Sequence, residues 1–245
     1  MQEKAFWVSR FVRIIIPVAV AAPLAYALNM KQYNFSDGYI LWSVVCELWY
    51  YALYPLFLAA SRYVSFSKQW KIALPISLAV AIILGSDVYG SANIFGPWIN
   101  WLVALPSWLI GCALAERKHS GNVVLFRVAT ALTASTLNWA TINTPLGYYL
   151  TLNIFSILVA AWVSAEIANA KGESWLDKVG KWSYSIYLFH AIAWTAIGLK
   201  IHVNSVYLIP LIILACYAFY RFVERPSHAI ARAIYRRMTV KAQAL

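Results

Sequence analysis

Charge is what this sequence has least of. Only 12% of its 245 residues are Asp, Glu, Lys or Arg, against about 25% in a soluble domain, too few to cover a water-facing surface. Acidic residues are scarcer still, 9 against 20 basic ones. Cysteine is nearly absent. Cys46, Cys112 and Cys216 all fall inside apolar runs, which argues against a disulfide framework and for small buried hydrophobes. There is no Gly-rich phosphate loop, and no His/Cys/Asp spacing resembles a metal site. Internal repeats, low-complexity tracts and a soluble domain are lacking too.

What fills the chain is hydrocarbon. Hydrophobic residues make up 62% of it and the mean hydropathy is +0.64. The charges cluster and leave apolar runs of roughly 20 residues, the length that crosses a hydrocarbon core of about 30 Å. Eight spans are expected, near 14–29, 39–60, 72–89, 98–115, 122–142, 147–167, 182–201 and 205–222. Runs this continuous are helices rather than barrel strands, because lipid-exposed backbone must satisfy its own hydrogen bonds. The 12 Trp and 16 Tyr lie often near run ends, where their rings suit the headgroup region. Pro17, Pro23, Pro55, Pro75, Pro106 and Pro210 fall inside spans, where they are tolerated as kinks. The expectation is an all-α, polytopic membrane bundle forming a single domain, 1–245.

Lys and Arg placement sets the orientation. With the N-terminus inside and the spans alternating, 18 of the 20 basic residues lie on the cytoplasmic side and only Lys31 and Lys200 outside. Both termini are then cytoplasmic. The net charge of +11 does not indicate nucleic acid, since the basic residues sit between apolar spans rather than on one soluble face. Lys4, Arg10 and Arg13 followed by an apolar run and Ala25-Tyr26-Ala27 also fit a cleavable signal peptide, which would leave the later spans unchanged.

Polar groups inside the spans are costly and stand out. Glu47 lies deep in its span, and helical periodicity puts Ser43, Glu47, Tyr50 and Tyr54 on one face that disfavours lipid. The bland alternative is a Glu satisfied by a neighbouring helix. His190 is the second case, with Ser183, Tyr187 and Trp194 on its face. Its alternative is a packing histidine. Counted from the span ends, the two sit at levels roughly 6 Å apart in a core of about 30 Å. Arg10 and Arg13, three residues apart before Pro17, share a face where the first span leaves the cytoplasm. Guanidinium forks bind phosphate bidentately, so the pair suits a phosphorylated donor, or else anchors to anionic lipid. Glu224-Arg225-Pro226 reads as a helix stop with its charges paired or snorkelling. His228 and the basic tail to Lys241 read as a solvated or headgroup-facing end. His119 and His202 are assigned no role.

Four segments together resemble the acyltransferase family 3 membrane proteins, which O-acylate bacterial surface glycans. They are Ser9-Arg-Phe-Val-Arg-Ile-Ile-Ile-Pro17, Leu41-Trp-Ser-Val-Val-Cys-Glu-Leu-Trp-Tyr-Tyr-Ala-Leu-Tyr-Pro55, Gly180-Lys-Trp-Ser-Tyr-Ser-Ile-Tyr-Leu-Phe-His190 and Tyr220-Arg-Phe-Val-Glu-Arg-Pro226. They occur in family order. The resemblance implies a transferase of the inner membrane that takes an acyl group, acetyl by default, from acyl-CoA on the cytoplasmic side. The acceptor would be a hydroxyl of a cell-surface polysaccharide or lipid-linked glycan. Arg10 and Arg13 match arginines of donor handling. Glu47 and His190 match motif positions and are the catalytic candidates, with Ser43, Tyr50, Tyr54, Ser183 and Tyr187 around the substrate cavity. Glu224, Arg225 and Pro226 match the closing structural motif.

No permanently bound cofactor and no metal are expected; acyl-CoA is a substrate. Membrane lipid, the glycan and a separate extracytoplasmic acyl-relay protein are the implied partners, and nucleic acid is not. The family normally opens with two further helices carrying an arginine and a histidine, and this chain looks like a member without that hairpin. An inactive truncated member therefore stays open as an alternative, as does a proton-coupled carrier using Glu47 and His190.

Overall fold

The computed structural model describes residues 2–31, 33, 41–84, 96–143, 147–170, 172, 175–198 and 205–243. Among them the chain is helical, and each of the eight expected spans is a helix. These are α1 (Gln2–Ala27), α2 (Trp42–Ser61), α3 (Phe66–Leu84), α4 (Gly96–Ala115), α5 (Val123–Asn143), α6 (Gly147–Ala168), α8 (Ser183–Gly198) and α9 (Ser205–Phe219). A short α7 (Trp175–Gly180) precedes α8, and a π turn (Tyr220–Glu224) joins α9 to α10 (Arg225–Gln243). Six helices, α1 to α6, are long and apolar enough to cross a membrane. At 16 and 15 residues, α8 and α9 are shorter. Lys200, His202 and the span ends at 39–40, 85–89 and 199–201 lie outside the described residues.

Two differences from expectation matter. The first helix begins at Gln2, well ahead of the expected span, and carries Arg10 and Arg13 on it as their shared face requires. The chain also does not stop at Glu224-Arg225-Pro226. The Arg225 N–H reaches back five residues to the Tyr220 carbonyl. This widened turn makes room upstream of Pro226, whose ring would otherwise crowd the carbonyl four residues before it. The helix then runs on as α10.

The helices sort into two compact units. The first comprises Met1–Asn34 and Glu173–Leu245, the second Phe35–Gly172. In the first, α1 packs on α8 and α10, and α9 packs on α8. The buried face of α1 is Ile14, Val18, Ala21 and Ala25, spaced by three and four residues as one helical stripe requires. Its small residues allow close helix approach. The Tyr184 hydroxyl donates to the Ile14 carbonyl at 3.3 Å and Tyr33 to the Leu188 carbonyl at 3.0 Å, both pinning α8. Burial, with Tyr187 nearby, raises the Tyr33 pKa above its ordinary value, so it is a neutral donor at physiological pH.

In the second unit α4 is central and touches α2, α3 and α6, while α5 packs on α6. Its core is aromatic. Trp49 stacks on Trp101, and Tyr50 stacks on Trp108 with ring centroids 5.1 Å apart. A buried polar knot joins three helices. The Asn153 amide donates to the Ser77 hydroxyl (3.2 Å) and the Val103 carbonyl (3.1 Å), and its oxygen accepts from Ser107 (3.1 Å). Ser77 also donates to Val103. The Val103 carbonyl lies one turn before Pro106, where a missing N–H and the proline ring loosen the helix ladder. Side chains of α3 and α6 reach the Val103 carbonyl in this loosened turn. Asn153→Ala is expected to destabilise the chain by about 1–2 kcal/mol, since hydrogen bonds in membranes average about 0.6 kcal/mol each and the side chain's bonds to Ser77, Val103 and Ser107 are all lost. Reversible unfolding of the full chain in mixed micelles checks this; an unchanged midpoint refutes it.

Candidate functional site

The first unit holds a cavity of about 500 Å³ between α1 and α10, lined by Phe6, Ser9, Arg10 and Arg13 from one side and His228, Ala231, Arg232, Tyr235 and Arg236 from the other. Its construction is periodic. Arg10 and Arg13, three residues apart, share a face of α1, and His228, Arg232 and Arg236 recur every four residues on α10. Beneath them Ser227 and Ala231 are buried. Arg10 lies over the Phe6 ring at 5.3 Å, a cation–π contact that restricts the guanidinium. Arg13 and Arg232 are exposed and Arg10 half-buried, so the cavity is reachable from outside.

α10 is an amphipathic helix with exposed arginines, as expected of a solvated or headgroup-facing end, but one face of it is taken up by α1. It packs along α1, and His228 is half-buried at the cavity wall. Burial first, then Arg13, Arg232 and Arg10, pulls its pKa down to about 4. The ring is neutral at physiological pH, and the positive charge of the cavity belongs to the four arginines.

Glu224 anchors this arrangement. It is only 1% exposed and accepts hydrogen bonds from the Ser185 N–H at 3.0 Å and from the Ser185 hydroxyl. His228 Nε2 stands 3.5 Å from its other oxygen, too long for a strong hydrogen bond. The expected pairing of Glu224 with Arg225 is not made, because the π turn points Glu224 inward to α8 while Arg225 and Pro226 are exposed. Glu224 thus ties the start of α8 to the start of α10.

His190 lies on α8 and is exposed. Its Nδ1 is 2.8 Å from the Ile186 carbonyl and 3.0 Å from that of Tyr187. Carbonyls only accept, so Nδ1 carries the proton, and Nε2 of the neutral ring is the acceptor. That is the tautomer a general base needs. Ser183 is exposed and donates to the Gly180 carbonyl at 2.9 Å, and Tyr187 is half-buried.

Glu47 belongs to the second unit. It is half-buried on α2 and accepts a hydrogen bond from Tyr51 of its own helix at 2.8 Å. Of its expected stripe, Ser43 is half-buried, and Tyr50 is buried and donates to the Trp101 carbonyl at 2.9 Å. Tyr54 meets Trp108 edge to face. Within this unit the two tyrosines pack against α4.

The sequence reading missed Phe6, His228, Arg232, Tyr235 and Arg236 as cavity residues, and Ser185 as the partner of Glu224. The four-residue recurrence on α10 was the available signal. Among the described residues, no group of His, Cys, Asp and Glu is arranged to hold a metal ion.

A family profile described as the acyltransferase domain of acyltransferase family 3 matches residues 2–223, nearly the whole chain; it contains three of the four resembling segments and the fourth as far as Val223, with Glu224-Arg225-Pro226 beyond it. No curated protein and no solved structure matches it. The chain is thus a multi-pass membrane protein belonging to acyltransferase family 3.

Proposed function

We propose that the chain transfers an acyl group, acetyl by default, from acyl-CoA to a hydroxyl of a cell-surface glycan at the bacterial inner membrane. The observation that carries this reading is the cavity where Arg10 and Arg13 of α1 meet Arg232 and Arg236 of α10. Coenzyme A presents a diphosphate and a further phosphate, and guanidinium forks pair with such groups bidentately. Phe6 and Tyr235 supply aromatic surface for the adenine ring. A cavity of about 500 Å³ suits the nucleotide end of the donor, leaving its pantetheine arm to extend toward the membrane. The distribution of 18 of 20 basic residues supports cytoplasmic termini and eight crossings, an orientation in which this cavity opens toward the side where acyl-CoA is found.

The chemistry asks for a base. The glycan hydroxyl attacks the thioester carbonyl, a C–O bond forms, the C–S bond breaks, and the proton passes to the base and then to the departing thiolate. His190 is our candidate, supported by the Nδ1 contacts that leave Nε2 as acceptor. Glu47, a carboxylate held by Tyr51, is the second catalytic candidate.

Three outcomes are expected. Charge-assisted hydrogen bonds contribute about 1.5–3 kcal/mol, so Arg10→Ala, Arg13→Ala, Arg232→Ala and Arg236→Ala should each weaken acyl-CoA binding by about tenfold or more. Calorimetry on the full chain in nanodiscs reads this, and unchanged affinity in all four contradicts it. His190→Gln should lower glycan acylation by roughly 10²–10⁴-fold with donor affinity preserved; normal acylation removes His190 from the mechanism. The groups facing His228 are Arg10 and Arg13 of α1, Glu224 of the π turn and Arg232 of its own helix. Because folding depresses its pKa, the unfolded chain binds the proton first. Stability should be complete above about 6.5, the unfolded value, and fall as the pH drops toward about 4. Thermal midpoints from pH 7 to 4 should drop less in His228→Gln than in the parent; parallel curves refute the assignment.

A further inference from the structure

A second cavity lies wholly within the other unit. It has a volume of about 350 Å³, with α6 as its floor, α4 and α5 as walls and Trp70 of α3 at one end. Two kinds of surface line it. Ile110, Ala113, Leu114, Ile157, Ala160 and Ala161 form an apolar trough. Arg117, Lys118, Ser120 and Ser164 form a cationic, hydroxyl-bearing mouth. Small residues at 113, 160 and 161 leave the trough open where longer side chains would fill it.

The mouth is held in shape. The Ser120 N–H donates to the Ser164 hydroxyl at 3.2 Å, and the Asn169 amide donates to the Gly121 carbonyl at 3.2 Å. Gly121 adopts φ +137°, and a Cβ there would lie 3.0 Å from both Ala165 and Phe126, so the loop approaches α6 as closely as a backbone can. Arg117 reaches back to the Ser67 hydroxyl. Of the nearby carboxylates, Glu166 is taken up by Arg127 and Trp162, and Glu116 is exposed on the turn before Arg117. The charge left at the mouth is positive.

We propose that this cavity is a binding site for one anionic phospholipid, with an acyl chain in the trough and the headgroup phosphate at Arg117 and Lys118. Charge complementarity at the mouth selects an anion, and the apolar trough selects hydrocarbon; a free phosphate satisfies only the first. The volume decides the stoichiometry. About 350 Å³ is near the lower end of ligand pockets, roughly 300–1,000 Å³, enough for part of one lipid and too little for two chains. The site is separate from the arginine cavity and does not depend on the acyl-transfer reading.

Trp70 provides the readout, because bromine on a lipid chain quenches a neighbouring indole. The full chain is placed in phosphatidylcholine vesicles and titrated with brominated phosphatidylglycerol or brominated phosphatidylcholine; the Trp70 component is the difference from Trp70→Phe. The site predicts half-quenching by the anionic lipid at a mole fraction about tenfold or more below that of the zwitterionic one, since two basic residues at the mouth favour the anionic headgroup. Arg117→Gln with Lys118→Gln should erase that preference, while Arg62→Gln with Lys68→Gln, which does not touch the cavity, should keep it. Ala160→Leu, with both charges intact, should reduce quenching by either lipid. Equal quenching by the two lipids overturns the proposal, as does a preference unchanged in the Arg117/Lys118 variant. Binding of inorganic phosphate at Arg117 and Lys118 without Trp70 quenching by lipid overturns the lipid assignment in favour of a free phosphate ligand.

Discussion

Guanidinium groups gathered around one small cavity repel one another, and the packing of α1 against α10 holds four of them there. α1 and α10 pack along each other, with Ser227 and Ala231 buried on the α10 side. The site of the first unit follows from this packing. Where like charges are kept together by apolar contacts elsewhere on the same helices, an anion relieves the strain on arrival. The neutral state of His228 fits the same logic, because a fifth positive charge beside Arg10, Arg13 and Arg232 is costly.

Glu224 completes the constraint. A carboxylate 1% exposed requires donors, and Ser185 offers both its N–H and its hydroxyl. The contact holds Ser185 in the first turn of α8, and His190 lies about one and a half turns further along that helix. The π turn before Pro226 aims Glu224 inward; π turns inside helices often mark functional positions for this reason. In the second unit a proline again creates the opportunity. Pro106 loosens the turn before it, and Ser77 and Asn153 reach the Val103 carbonyl in that turn from neighbouring helices.

The helices were legible in the sequence because hydrocarbon length is a hard constraint. An apolar run long enough to span can hardly be anything else, and each of the eight runs is a helix over its described residues. Their ends were less legible. α1 extends well ahead of the expected span, to Gln2, because a helix need not end where the apolar run does. The Arg10/Arg13 pair was visible as a motif, but its partners on α10 were not. A basic amphipathic helix has the same pattern whether its apolar face meets lipid or another helix, and only the contact with α1 tells the two apart. Pro226 misled for a related reason, because a proline is a helix stop unless the turn before it widens. At Tyr50 and Tyr54 the periodicity identified a shared face correctly, but an aromatic face against Trp108 serves packing as well as it serves a chamber.

The central claim is that the α1–α10 cavity is the seat of the phosphorylated donor. A cryo-electron microscopy structure of the full chain with coenzyme A tests it most directly. The account predicts phosphate density within hydrogen-bond reach of Arg10, Arg13, Arg232 and Arg236. Coenzyme A bound elsewhere, with these four side chains in contact only with lipid headgroups, would contradict it.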